Sequence, residues 1–269
     1  MRLGNGIEVS GNSTDVIVED CRIHQAYDTG VDPQNVGPSP VTQRGLVFRN
    51  NLVSHVGLAG FELWARPSGS RLSDVRLEHN TVLYAGRGWG YEQHDHVGQG
   101  RVGAALAVFQ NLAAGDGIVI GNNVFADPRV ALMSEFRVDQ QATRGFLRGL
   151  AMDGNLWSLG AGGVGVVLFE GTTDAMGNTV LGASPVFPDL AAWRSPQNLD
   201  VPGMDVNSVQ ADPEFDAPTD AVTQDRAWIA GLPPGDLARP SRFGRFALTG
   251  DYRRSGASRG IGWGASLAP

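Results

Sequence analysis

Leu46-Val47-Phe48-Arg49-Asn50-Asn51-Leu52-Val53 and, after a short turn, Gly60-Phe61-Glu62-Leu63-Trp64 decide the fold. One apolar strand runs into an asparagine corner, a second leaves it, and a third carries an acid on the face opposite its apolar residues. Cys21, Asn80, Asn123, Asn155 and Asn178 stand where Asn51 stands, as in Ile118-Val119-Ile120-Gly121-Asn122-Asn123-Val124-Phe125. Asn tolerates the left-handed backbone that a tight corner needs, and stacked copies can hydrogen-bond through their amides. The acid strand recurs as Gly30-Val31-Asp32 and Gly90-Tyr91-Glu92, so that Asp32, Glu62 and Glu92 are 30 residues apart in succession. Gly6-Ile7-Glu8 is an earlier copy, and looser ones end at Glu135 and Glu170. From corner to acid is 11 residues after Cys21 and Asn51 and 12 after Asn80 and Asn123. A near-constant offset with a variable remainder means coils of fixed core and variable insertion, which is a solenoid.

Six coils follow. The first ends in Glu8, and the others run Val16 to Gln34, Leu46 to Trp64, Val75 to His94, Ile118 to Phe136 and Leu150 to Glu170. The turns before the acid strand read as short and those after it as long, and long loops along one face of a rigid scaffold are where binding groups sit. Residues 1–183 are therefore expected to form the solenoid. Residues 184–269 lose the repeat, gain proline, and keep Trp193, Trp228, Phe243, Phe246 and Trp263, so they are expected to pack along or cap its far end.

Composition narrows the function classes. A net charge of −7 gives no electrostatic reason to expect nucleic acid or anionic lipid. All 21 basic residues are Arg, which removes lysine as a base or Schiff-base former. The single cysteine excludes an internal disulfide. No apolar run is long enough to span a membrane as a helix, and Met1-Arg2-Leu3 leads at once into the first repeat with no signal peptide. A first coil without a cap exposes core and strand edges, so either missing N-terminal coils or a second subunit in a homo-oligomer is expected to cover it.

With these strands quoted, the pattern resembles the right-handed parallel β-helix repeat of the pectate-lyase-like superfamily. Asn50-Asn51-Leu52-Val53 with Gly60-Phe61-Glu62-Leu63-Trp64, and His79-Asn80-Thr81-Val82 with Gly88-Trp89-Gly90-Tyr91-Glu92-Gln93, are similar to bacterial carbohydrate-active members. Ala211-Asp212-Pro213-Glu214-Phe215, Asp251-Tyr252 and residues 255–260 resemble their closing segment. The resemblance implies an all-β fold, secreted or periplasmic location, and a saccharide bound in the groove along one strand face. It also implies a longer N-terminus than this chain has. It does not fix the reaction, because the fold hosts lyases, hydrolases, epimerases and non-catalytic proteins.

A carboxylate facing out from a strand is ordinarily a solvated surface group, and Glu8, Glu135 and Glu170 are read so. Asp32, Glu62 and Glu92, stacked on adjacent coils about 4.8 Å apart, would repel one another unless a cation, an Arg or a raised pKa compensates. They are the candidate catalytic residues. Trp64 shares the strand parity of Glu62 and offers a face for a sugar ring, or equally a cover for core. Asp28 on the turn into Asp32, and Gln34, Arg66, Arg87, Gln93 and His94, are the remaining candidate substrate-binding groups. His94 and His96 fall on one face but lack an evident third ligand, so no metal is expected. The resulting expectation is a glycoside hydrolase without cofactor, degrading a poly- or oligosaccharide. One rival is a lyase or epimerase on uronic-acid polymers, which would use the carboxylates for Ca²⁺ and require cationic groups in the groove. The other is a non-catalytic saccharide-binding or surface solenoid.

Overall fold

The computed structural model describes residues 4–35, 38–65, 69–88, 90–91, 103–108, 117–137, 147–160, 163–173, 179–181, 186–194, 204–217 and 251–254. The chain is an all-β parallel β-helix whose coils visit three sheets in turn. Sheet 1 stacks Ile7–Ser10, Val31–Asn35, Ala59–Ala65, Ala104–Val108, Ala131–Arg137 and Val164–Thr173 in parallel. Sheet 2 stacks Ile17–Glu19, Thr42–Arg49, Arg71–Glu78, Ile118–Gly121 and Leu150–Asp153. Sheet 3 holds Arg22–His24, Leu52–Ser54, Thr81–Leu83, Val124–Ala126, Leu156–Ser158 and Val209–Gln210. Parallel strands joined through such crossovers take the right-handed sense almost without exception.

Like residues lie over like. Ile23, Val53, Val82, Phe125 and Trp157 form one inward column from sheet 3, and Leu46, Val75, Ile118 and Leu150 contribute another from sheet 2. From sheet 1 come Val9, Val31, Phe61, Leu63, Leu106, Met133 and Val166. Phe48 meets Phe61 edge to face across the interior, with centroids 6.2 Å apart.

The corner between sheets 2 and 3 is a buried amide ladder. Asn51 Nδ2 donates to Asn80 Oδ1 at 3.0 Å, Asn80 Nδ2 to Asn123 Oδ1 at 3.0 Å, and Asn123 Nδ2 to Asn155 Oδ1 at 3.1 Å. Each Oδ1 also accepts the backbone N–H of the rung before it, and the Cys21 N–H donates to Asn51 Oδ1 at 3.0 Å. The left-handed residue is not the ladder asparagine itself. It is the one preceding it, with φ of 56° at Asp20, 54° at Asn50, 55° at His79, 56° at Asn122 and 69° at Gly154. The two adjacent positions thus divide the work: one supplies the bend, the other the buried amide.

Asn178, the next expected corner, lies outside the described residues. Asn155 instead donates its Nδ2 to Asp205 Oδ1 at 3.0 Å and its N–H to Ser208 Oγ at 2.7 Å. Asp205 also accepts from Trp193 Nε1 at 3.1 Å, and Trp193 lies buried in helix α1, Leu190–Arg194. Two antiparallel strands, Thr179–Leu181 and Val186–Phe187, pair with the last strand of sheet 1 on the way. Phe215–Ala217 pairs antiparallel with Asp251–Arg254.

The fourth coil departs from the sequence expectation. Its sheet 1 strand is Ala104–Val108, not the segment around Glu92. Gly88 and Gly90 serve a different purpose: a Cβ on Gly88 would stand 2.0 Å from the His55 carbonyl, and one on Gly90 1.9 Å from that of Tyr27. Gly88 and Gly90 thus pack against the turns of earlier coils. The glycines at Gly6, Gly30 and Gly60 are explained by packing too, since Cβ atoms there would strike Ile23, Val53 and Val82 of sheet 3.

Replacing Asn80 by Ala would take a partner from the buried donors of Asn51 and from the acceptors of Phe48 and Asn123, on the coils to either side, each stranded group costing about 1–3 kcal/mol. Chemical denaturation should register a loss of at least about 3 kcal/mol. Cys21→Ala, at the half-buried first rung, should change stability by less than about 1 kcal/mol.

Candidate functional site

The site grows from the outward column of sheet 1. Register places Glu8 opposite Asp32, Asp32 opposite Glu62, and Glu62 opposite Ala107. Ser134 and Val167 hold the next two places, while Glu135 falls opposite Val108 and Glu170 opposite Arg137, so neither acid continues the column. The acidic run is therefore Glu8, Asp32 and Glu62, at the N-terminal end. Glu92 is replaced in it by Ala107, and Glu92 itself, with Arg66, Gln93 and His94, lies outside the described residues.

Asp32 and Glu62 are both buried, at 0% and 6% exposure. Asn5 Nδ2 donates to Asp32 Oδ2 at 2.7 Å, and Gln34 Nε2 donates to the same oxygen. Thr29 Oγ1 donates to Glu62 Oε2 at 2.7 Å, and Asn5 Oδ1 in turn accepts the Thr29 N–H at 3.2 Å. Asp32 Oδ1 is buried and has no hydrogen-bond partner among the described residues. A buried carboxylate oxygen without a donor is costly to keep charged, which favours the protonated form.

Burial, more than any neighbour, sets the proton affinities. It drives Asp32 well above the usual carboxylate range, with Glu62, Glu8 and Asp28 adding to the rise and the Gln34 hydrogen bond opposing it. Glu62 is pushed up to about 8, again chiefly by burial; the Thr29 hydrogen bond opposes the rise, and Asp28 and Glu8 add to it. Two like acids so close cannot both ionise easily, so each holds its proton more tightly than a free carboxyl.

The remaining candidates divide. Gln34 joins the site directly, Asp28 contributes its field, and Trp64 stands opposite Gln34, half-buried, next to Glu62 on the same face. Arg87 does not reach the acids: its Nε donates to the Asp127 carbonyl on the following coil at 2.9 Å. Arg129 lies with its guanidinium 3.7 Å from the centre of the Tyr91 ring. Sequence reading missed Asn5 and Thr29 and discounted Glu8. The available signal was the position just before each glycine, Asn5-Gly6 and Thr29-Gly30, which is polar only where the neighbouring acid needs a donor. Among the described residues no three His, Cys, Asp or Glu side chains are grouped to hold a metal ion. Compared with known proteins, the chain matches no family model, no curated protein and no solved structure.

The raised affinities carry a sign. Folded Glu62 binds its proton up to about pH 8 while the unfolded residue releases it near 4.5, so the folded state holds more protons in between. Stability should fall as pH rises through that window, by on the order of a few kcal/mol, with Asp32 adding in the same direction. Denaturation at pH 5 and pH 9 should show this loss in the wild type and a smaller one in Glu62→Gln.

Proposed function

We propose that this chain is a carbohydrate-active β-helix protein of the pectate-lyase-like kind and that it acts as a glycoside hydrolase through Asp32 and Glu62. The observation that carries the reading is two buried carboxyls on adjacent coils with raised proton affinity, one of them presenting an oxygen without a partner. Strands about 4.8 Å apart suit the roughly 5–5.5 Å carboxyl separation of retaining enzymes better than the wider inverting one. In this reading the two amide donors on Asp32, against one hydroxyl on Glu62, offset part of the rise that burial gives Asp32 and let it carry the negative charge when substrate is bound. Asp32 is then the nucleophile. Asp32 bonds to the anomeric carbon as the glycosidic bond breaks and Glu62 protonates the departing oxygen; Glu62 then takes a proton from the water that displaces Asp32, acting as acid and then base.

The lyase or epimerase reading is less well supported. A uronate substrate needs cations at the acids, and no Arg or His among the described residues forms an ion pair with Glu8, Asp32 or Glu62. Trp64 beside Glu62 suits the apolar face of a sugar ring.

Incubation with a panel of oligosaccharides should release new reducing ends without the absorbance of an unsaturated sugar. Glu62→Gln should lower turnover at least about a hundredfold on a poor leaving group and much less on an activated aryl glycoside. Asp32→Asn should abolish both, and wild-type activity should decline as pH rises through about 8, where Glu62 loses its proton. Full activity in both variants would remove the pair from the mechanism.

A further inference from the structure

The two carboxyls are not held alike. Asp32 is closed off completely, with both of its amide donors on Oδ2. Glu62 keeps 6% exposure, and the Thr29 hydroxyl donates to its Oε2 alone, at 2.7 Å. The other oxygen, Oε1, accepts no hydrogen bond among the described residues, and unlike Asp32 Oδ1 it is not sealed from solvent. Ala107, at the equivalent place on the next coil, has no donor to offer it. One oxygen of Glu62 is therefore fixed from the preceding coil and the other is left open.

Thr29 can do this fixing because it is itself immobilised. It is buried at 0% exposure, its N–H donates to Asn5 Oδ1 at 3.2 Å, and its carbonyl accepts the Gly6 N–H at 2.8 Å. Branching at Cβ restricts the side chain further. Among the described residues Glu62 Oε2 is the one acceptor for the Thr29 hydroxyl hydrogen. A neutral carboxyl has a carbonyl oxygen that accepts and a hydroxyl oxygen that carries the hydrogen. Were the Glu62 proton on Oε2, Thr29 would have to accept it, and its own buried hydrogen would lose its acceptor, which is costly. With the proton on Oε1 both groups are satisfied. The donors also follow the acids along the column. Asn5 serves Asp32 and Thr29 serves Glu62, whereas the same place on the third coil is Ala59, where the acid has given way to Ala107. Resting on the hydrolase reading above, we propose that Thr29 is a positioning residue that acts through Glu62: its hydroxyl keeps Oε2 as the carbonyl oxygen and places the transferable proton on Oε1, the oxygen open to a departing glycosidic group. The Oε1–H bond breaks as the leaving oxygen gains its hydrogen, and Oε1 is protonated again by the attacking water.

The first readout needs no substrate. Infrared difference spectra of the full chain, with isotope-labelled glutamate and pH raised through about 8, follow the carbonyl band of protonated Glu62, assigned by its loss in Glu62→Gln. Thr29→Val removes the donor at constant shape, so the band should move to higher frequency. Deprotonation should move to higher pH, because the carboxylate has lost a hydrogen bond. Thr29→Ser should return both towards the wild type, and if Thr29→Val does not fold, Thr29→Ala set against Thr29→Ser gives the same contrast. On an oligosaccharide with a poor leaving group Thr29→Val should lower kcat at least about tenfold with KM little changed, and should lower it less on an activated aryl glycoside. A wild-type band and titration in Thr29→Val, or an undiminished kcat on a substrate whose cleavage needs Glu62, would overturn the role of Thr29 and spare the hydrolase reading. The expected band shift with no saccharide cleaved by the wild type would overturn the hydrolase reading and leave the placement of the proton intact.

Discussion

The asparagine ladder is the constraint on which the rest of the molecule depends. An amide offers two donors and one acceptor oxygen, and here the Nδ2 of each rung serves both a backbone carbonyl and the next rung, while Oδ1 of Asn80, Asn123 and Asn155 receives two donors from the rung before. At 0% exposure no water can stand in for a missing partner. A coil that slipped by one residue would break this pattern at two interfaces and turn its apolar residues outward. Insertions of any length are tolerated between coils because the ladder re-establishes register at every turn.

Fixed register is also what makes the acid column possible and strained. Side chains at equivalent positions are stacked at the strand spacing whether or not they attract one another, so Asp32 and Glu62 are held together by a backbone they do not control. Their response is electrostatic: the charge is suppressed, and Thr29, Asn5 and Gln34 orient the carboxyls. Elsewhere the same stacking is resolved by opposite charge, as Arg49 sits beside Glu19 one coil away at 2.6 Å. The contrast matters, because an arginine in the column would have been an accessible solution for sheet 1 as well, and acid pairs with raised proton affinity concentrate at reacting sites.

The architecture was legible because its determinant is one residue type in one repeated place. A run of apolar, bend, Asn, apolar has few alternative folds, and every copy from Asn51 to Asn155 obeys it. The acid column was legible for Asp32 and Glu62 and misread at Glu92. Gly90-Tyr91-Glu92 repeats the local pattern and the 30-residue spacing, but its glycines are required by the carbonyls of Tyr27 and His55 and not by sheet 3. The true strand, Ala104-Ala105-Leu106-Ala107-Val108, is uniformly apolar and buried on both faces, so it shows no alternation by which to find it. The end of the ladder was illegible for another reason. Asp205 and Ser208 replace a single asparagine with two residues from a segment that has no repeat, and only three-dimensional proximity reveals that they do its work.

The change in the column from acid to small and apolar separates the solenoid into two regimes. From Ala107 onward the outward positions of sheet 1 carry no charge: Ala107 and Val167 pack with Leu58, Ala59 and Ala131 in an apolar cluster of their own. Glu62 therefore sits at a boundary, with Asp32 on one side and an alanine methyl on the other. The apolar neighbour withholds solvation and the acidic one withholds counter-charge, and both push its proton affinity the same way. Had the acids continued to a fourth coil, Glu62 would have had an acid on both sides, as Asp32 already does. Burial among apolar neighbours such as Ala107 is the larger influence, and it holds the Glu62 proton up to about pH 8 while Asp32 is raised beside it.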